Sequence, residues 1–401
     1  MPKILITGNG FDLSLGLPTS YSDFINILNS LNEYGELDYE TIYRKSINYN
    51  QITENYKSFD FNFDKIEILK GEIKSNLWFQ FFKNEFEIDT WIDFENKIEY
   101  VLKILFSSVK YLKDNLFSKG SINKDTVNFN SKLFNNNVEI IQVLNKFNII
   151  SLNEYYEIRF NENYLIRKYD FFIDVDINKI TKELIEELDN FKKIFNYYFE
   201  VFVFPFYFNQ KKRVGKTLFS NINKHYTFNY TPTFDKFYAN AQKTNFLHGK
   251  IDSSSNQIVL GINEIPDGEL DKRYFLPFTK YFQKLNNNTD FEFITEFEKK
   301  KNVNYIFFFF GHSLDSSDSD YINEIFNFVN DLNSRIKKIV IIHHNDKSKS
   351  QLLINLLNIR GKDDIQKLMK NNILVFNHID STELKRELDR DISKSSMITI
   401  S

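Results

Sequence analysis

The chain has 401 residues, a net charge of -3 and no cysteine. That length allows one large domain or two smaller ones. The balance of charge lacks the basic excess of a nucleic-acid binder, and the missing cysteines exclude disulfides, thiolate metal sites and a cysteine nucleophile.

No apolar run approaches the roughly 18 residues of a membrane span. Met1-Pro2-Lys3 leads into a strand without the pattern of a signal peptide. A soluble, cytoplasmic protein without membrane partners is expected, with nucleic acid an unfavoured ligand. The 43 Phe and 22 Tyr are a compositional bias, so a single aromatic residue carries little functional weight.

In chain order, "KILIT" (3–7) reads as a strand, followed by Gly8 and Gly10 and then by a helix capped by Thr19 or Ser20 behind Pro18. Residues 31–221 read as mostly helical. Ile180, Leu184, Ile185, Leu188, Phe191, Ile194 and Phe195 recur at helical spacing, and Pro205 ends the last element. Within this zone "NENYLIRKYDFF" reads as a short hairpin. From residue 222 strands return: "HYTFNY" (225–230), "QIVLG" (257–261), "NYIFFFFG" (304–311), "KKIVIIHH" (337–344) and "NILVFNH" (372–378). Helical patterns fall near 319–333, 347–358 and 361–370. The runs at 306–310 and 339–342 are apolar on both faces, as in strands buried between helix layers of a parallel sheet. The expected fold class is α/β. Residues 1–30 and 222–378 form a doubly wound, mostly parallel sheet, 31–221 a large mostly helical insertion, and 379–401 a C-terminal extension.

In such folds the first strand-to-helix turn commonly holds phosphates, because glycine permits close backbone approach and the helix start offers free N–H groups. Gly8, Asn9, Gly10, Phe11 and Asp12 are therefore candidate nucleotide contacts. The third glycine of a dinucleotide fingerprint is absent, since Leu13 stands there, and a tight turn without ligand explains two glycines equally well. His248 in "NFLHGK" is a candidate proton acceptor, against the plainer reading of a loop-closing hydrogen bond. Asn229 ends a strand at the edge where ligands bind, against a turn-forming role. Gly311, His312 and Ser313 follow the most buried strand and form a second candidate ligand loop. Asp318 and Ser319 are expected to cap the next helix.

Three other features are set aside. Asp93 and Glu95 are two residues apart and share no helix face, so scaffold pairing is favoured over a paired-carboxylate glycosidase. "KKRVGKT" (211–217) has Gln210 where a phosphate-binding loop needs glycine. His343 and His344 lack a spaced third metal ligand. No metal is expected.

The spacing of "GNGFDLSLGLP", with Gly8, Gly10, Gly16 and Pro18, resembles the GAGxSxxxGIP loop of sirtuins. "FNY" (228–230), "LHG" (247–249) and "GHSL" (311–314) resemble, in order, the QNID, HG and GTS motifs of that family. The larger set of "TGNGFDLSLGLPTSYSDF", "WIDFE", "FNYTPTFDKF", "LHGK", "VLGINE" and "GHSLDSSDSDYINEIF" resembles the AbiH abortive-infection family of bacterial anti-phage proteins, over roughly 1–30, 90–96 and 222–345.

The resemblance implies a Rossmann-like, sirtuin-like fold and NAD as substrate or ligand. Asn229 and His248 would act at the nicotinamide ribose, with hydrolysis of the nicotinamide glycosidic bond as the activity. Asp12 stands where sirtuins have Ser, and Thr231 where the Asp of QNID stands, so pose or ligand differs there. The absence of cysteine removes the zinc module of the deacylases, which sets nucleotide cleavage above protein deacylation. A phage protein as trigger and self-association are further expectations. The alternatives are a non-catalytic nucleotide-binding module and a nuclease toxin.

Overall fold

In the computed structural model, residues 2–33, 38–85, 91–118, 120–122, 128–129, 137–152, 158–211, 218–238, 244–251, 257–266, 271–287, 289 and 302–390 are described. The chain divides into two compact units. One comprises Met1–Phe63, Tyr198–Ile258 and Lys284–Ser401; the other comprises Asp64–Tyr197 and Val259–Gln283.

Among the described residues, the first unit holds a six-stranded, all-parallel sheet of β1 (Lys3–Thr7), β2 (Lys224–Thr227), β3 (Thr244–Phe246), β4 (Tyr305–Phe310), β5 (Lys337–His343) and β6 (Leu374–His378). The strands lie in the order 3-2-1-4-5-6. This is the order of a doubly wound, Rossmann-like sheet, which reverses direction between β1 and β4.

The "YIFFFF" run explains why β4 is central. Tyr305, Phe307 and Phe309 pack in one core with Ile4, Ile6, Ile339 and Ile341, and with Ile322, Ile325, Phe326 and Val329 of the Ser319–Asp331 helix. On the other face, the Phe310 ring lies 5.8 Å from Phe11 and 5.6 Å from Phe219. Alternate side chains thus enter opposite helix layers. Burying each such Phe fully is worth about 1.5–3 kcal/mol over leaving it exposed.

The opening turn is more compact than a strand, a loop and one helix. A short helix, Asn9–Ser14, starts directly after Gly8. It ends in a left-handed stop: Gly16 has φ 80°, its N–H donates to Leu13 O at 2.9 Å, and Leu17 N–H donates to Asp12 O at 3.2 Å. Pro18 follows, and its carbonyl accepts the Tyr198 hydroxyl at 2.7 Å. Ser20 then caps the Tyr21–Glu33 helix. Its hydroxyl accepts Asp23 N–H at 3.0 Å, while the Asp23 carboxylate accepts Ser20 N–H at 3.3 Å.

Two strand expectations need correction. "QIVLG" forms no strand, because the Gln283 side chain serves the backbone in place of a ladder. Its Oε1 accepts Leu260 N–H at 3.1 Å and its Nε2 donates to Leu260 O at 2.9 Å. "HYTFNY" is a strand only as far as Thr227, and residues 228–230, with Asn229 among them, lie in bends beyond its end.

The second unit packs the helices Leu77–Phe82, Trp91–Leu116 and Val138–Lys146 with most of the helix Ile177–Tyr198. Phe94 stacks on Phe191 at 5.4 Å and meets Phe82 at 4.2 Å. Ile180, Leu184, Leu188, Phe191, Ile194 and Phe195 are buried as their spacing requires, whereas Ile185 is partly exposed. Small antiparallel pieces interrupt the helices, including the hairpin of Leu165–Lys168 and Phe171–Val175. Glu95 has a scaffold role: its carboxylate pairs with the buried Lys280 ammonium at 2.6 Å. Pro205, which belongs to the first unit, sits in a 3-10 turn, Phe204–Tyr207. Residues 212–217 of the basic "KKRVGKT" stretch lie outside the described residues. No described helix is long and apolar enough to cross a membrane.

Candidate functional site

All the candidate residues lie in the first unit, after the carboxyl ends of β1, β2, β3 and β4. Because these strands are parallel, that is one edge of the sheet. The β1/β4 reversal opens there, and open α/β sheets bind ligands at such an edge.

The β1 and β4 loops meet backbone to backbone. Gly10 N–H donates to Gly311 O at 2.8 Å, and Gly8 N–H to Phe310 O at 3.3 Å. A Cβ on Gly8 would lie 2.7 Å from His312 Cα, and one on Gly10 would lie 2.8 Å from Gly311 Cα. Gly311 has φ 69°, a left-handed conformation, and a Cβ there would strike the Phe11 amide. The close approach these three glycines permit is to each other. Of the first-turn donors, Phe11 N–H is also engaged, by Gly8 O at 2.9 Å.

Asn229 joins β2 to this pair: its Nδ2 donates to Gly8 O at 3.0 Å, and its own N–H donates to Thr227 Oγ1 at 3.0 Å. Thr227 Oγ1 accepts from Thr7 Oγ1 at 2.9 Å. His225 bridges Thr7 and Thr244, its two ring nitrogens 2.9 Å from each hydroxyl. Burial pushes the His225 imidazole down to about 3, so it is neutral at neutral pH. A polar ladder thus crosses β3, β2 and β1 just below the glycine turn.

Asp12 is wholly buried behind that turn. Burial pushes its carboxyl up to about 7, against opposing hydrogen bonds from Thr231, Thr233 and Asn229. The Thr231 hydroxyl donates to Asp12 Oδ2, Thr233 Oγ1 donates to Thr231 at 3.1 Å, and the Tyr207 hydroxyl lies 2.9 Å from Thr233. The other carboxyl oxygen, Oδ1, is buried without a hydrogen-bond partner. Thr231 is therefore the residue that holds Asp12.

His248 and His312 converge on one carboxylate. Asp318 Oδ1 lies 3.2 Å from His248 Nε2, and its Oδ2 lies 3.2 Å from His312 Nε2. The expectation that Asp318 caps the following helix is corrected: it occupies the N-cap position but its side chain makes no capping bond. Asp315 does the local turn chemistry instead, accepting Ser317 N–H at 2.9 Å. The rings are packed by Phe228, whose centroid is 5.2 Å from His248 and 4.1 Å from His312.

The remaining candidates are placed as follows. Asn9 spends its side chain on Thr19 O at 3.0 Å, tying the turn to the next helix. Phe11 directs its ring into the aromatic core beside Phe310 and Tyr238, which leaves its backbone at the edge. Ser313 is exposed, and its carbonyl accepts Asn355 Nδ2 at 2.9 Å. His343 ends β5, its Nδ1 3.2 Å from Asn345 O. Among the described residues, no group of three or more His, Asp or Glu side chains has the arrangement of a metal site. Sequence reasoning missed Thr7, His225, Thr227, Thr233 and Asp318 as parts of this constellation. The quoted motifs bracket them, but threonines and a helix-start aspartate have plainer local uses.

A comparison with known families matches residues 4–343 to the model of the bacteriophage abortive infection AbiH family. No curated protein matches the chain, and no solved structure does. The match spans the first strand, the helical segments and the strands through β5, so the chain belongs to the AbiH family of bacteriophage abortive infection.

Proposed function

We propose that this AbiH protein is an anti-phage effector that takes NAD, or a related nucleotide, at the carboxyl edge of its sheet and hydrolyses the nicotinamide glycosidic bond. The observation that carries this reading is the convergence of Gly8, Asn229, His248 and Gly311 at the β1/β4 reversal of a 3-2-1-4-5-6 sheet. The order of the sirtuin-like motifs along the chain supports the same ligand.

In the proposed reaction, the C1′–N bond of the nicotinamide ribose breaks and nicotinamide leaves as a neutral base. Water adds at C1′, and its proton passes to a base, giving ADP-ribose and a proton. Such a step has an oxocarbenium-like centre, so positioning of ribose and water is the main catalytic demand. His248 is the proposed base, and the Asn229 amide positions ribose or water. Gly8–Asp12 and Gly311–Ser313 face the diphosphate and the second ribose. Asp12 suits this placement because its raised carboxyl pKa of about 7 lessens the negative charge beside a diphosphate. A phage protein as trigger, acting through the helical unit, completes the proposal.

A second reading is favoured by the burial of Asn229 and His248, the two proposed catalytic side chains. On it, the chain binds a nucleotide without turnover. The deciding experiment incubates purified protein with NAD and, separately, ADP-ribose, and follows binding and nicotinamide release. Release that falls about 10²–10⁴-fold in His248→Ala with binding retained supports the hydrolase. Binding without release supports the module, and wild-type release in His248→Ala overturns the assignment of His248.

A further inference from the structure

We propose that Asp318 is the positioning residue of this site: one carboxylate hydrogen-bonds His312 Nε2, lies against His248 Nε2 as an ion-pair partner, and by its charge favours the proton on those two nitrogens. The role in turnover rests on the hydrolase reading above; the tautomer assignment does not.

The loop geometry sets the first ring. His312 Nδ1 accepts the backbone N–H of Leu314 at 2.9 Å, so in the neutral ring Nε2 carries the proton. That Nε2 lies 3.2 Å from Asp318 Oδ2. Leu314 makes the bond from a left-handed conformation, φ 55°, which an L side chain adopts only under strain. Complete burial of the Leu314 side chain in the core holds it there. The His312 tautomer is thus imposed by a strained backbone that the core enforces.

The second ring follows from the shared carboxylate. With Oδ2 taken by His312, Oδ1 lies 3.2 Å from His248 Nε2, an ion-pair contact outside hydrogen-bond geometry, so its effect on that ring is one of charge. A carboxylate beside a ring nitrogen favours a proton on that nitrogen and stabilises the imidazolium that forms when the ring accepts a second proton. The rings of Phe228, Tyr230 and Tyr321 also pack around His248, with the Lys284 ammonium 4.3 Å over the Tyr321 ring. Asp318 is the carboxylate in ion-pair contact with His248.

The test uses the full chain labelled with ¹⁵N in its histidine rings. Long-range ¹⁵N–¹H spectra report the tautomer of each ring, and His248→Gln and His312→Gln assign the signals. The expected result is Nε2–H on both rings in the wild type. In Asp318→Asn the His248 signal shifts to a mixture of tautomers, while His225, held between Thr7 and Thr244, is unchanged. With NAD, the same variant is expected to lose at least about 10²-fold in kcat with KM for NAD within about threefold.

An Nδ1–H tautomer at His248 in the wild type overturns the proposal. An unchanged His248 signal in folded Asp318→Asn overturns it as well, as does wild-type turnover in that variant. A wild-type chain that releases no nicotinamide defeats the hydrolase reading alone, and the ring tautomers still decide the place of Asp318.

Discussion

Asn229 Nδ2 donates to Gly8 O at 3.0 Å, so the bend that follows β2 grips the carbonyl that begins the glycine turn. The two residues are 221 positions apart, and the bond is buried. Removing one partner of a buried hydrogen bond costs about 1–3 kcal/mol. Asn229→Ala is therefore expected to lower stability by that amount in urea unfolding. Asn229→Asp should lose more, because a second carboxylate would face both the Gly8 carbonyl and Asp12. Equal losses in the two variants would refute the role given to the amide donor.

The glycine contacts predict a sharp contrast among glycine-to-alanine changes. Gly10→Ala and Gly311→Ala drive a methyl into the facing backbone, and Gly311 adds a left-handed φ. Each should destabilise by at least about 2 kcal/mol, beyond the ordinary range for a surface change. Gly71, inside the Phe63–Ser75 helix, has nothing within 4 Å of an added Cβ. Gly71→Ala should therefore stabilise by about 0.5–1 kcal/mol. Thermal midpoints of the three variants test this, and a tolerant Gly311→Ala would show that the two loops can separate without cost.

Asp12 and His225 make opposing contributions to acid stability. The Asp12 carboxyl moves from 3.8 to about 7 on folding. Between those values the folded chain keeps a proton that the unfolded chain releases, so this group's contribution falls as pH rises, by about 1.4 kcal/mol per unit. The His225 ring moves from 6.5 to about 3. In that window the unfolded chain binds a proton that the folded chain refuses, so its contribution falls as pH drops. Asp12→Asn should remove the first slope and expose the second. Urea midpoints at about pH 4.5, 6.5 and 8 should show the variant more acid-sensitive than wild type below 6.5 and more stable than it at 8. Parallel curves for the two proteins would contradict both assignments.

The Glu95–Lys280 pair should behave as a buried ion pair. Breaking such a pair from one side costs about 3–5 kcal/mol, because the remaining charge is buried alone. Lys280→Met should lose that much, and adding Glu95→Leu should recover most of it. A double variant no better than the single one would show that the pair is not the dominant interaction of either residue.

The division between what was legible and what was not follows from the range of the forces involved. The buried runs 306–310 and 339–342 announced a parallel sheet because apolar residues on both faces have few other uses. The helix start at Thr19 or Ser20 behind Pro18 was legible because its capping hydrogen bonds close within three residues, whereas the short Asn9–Ser14 helix and its stop at Gly16 were not read. The strand placed at 257–261 failed because its backbone partners are the side chain of Gln283, more than twenty residues away, and no local pattern encodes that.

The candidate site divides in the same way. Local sequence marked the turns that carry Gly8, Asn229, His248 and Gly311, since glycine, asparagine and histidine at strand ends are conspicuous. It gave the wrong use for Asp318, because a helix-start aspartate satisfies a local rule whether or not it obeys it. Only the folded chain, with β1, β2, β3 and β4 side by side, decides that Asp318 faces two histidines. The same placement sets the Gly8–Gly10 turn against Gly311, and lets Thr231 bond an aspartate 219 residues before it. Those choices depend on which strands are neighbours, and strand order is fixed by the packing of the whole sheet between its helices.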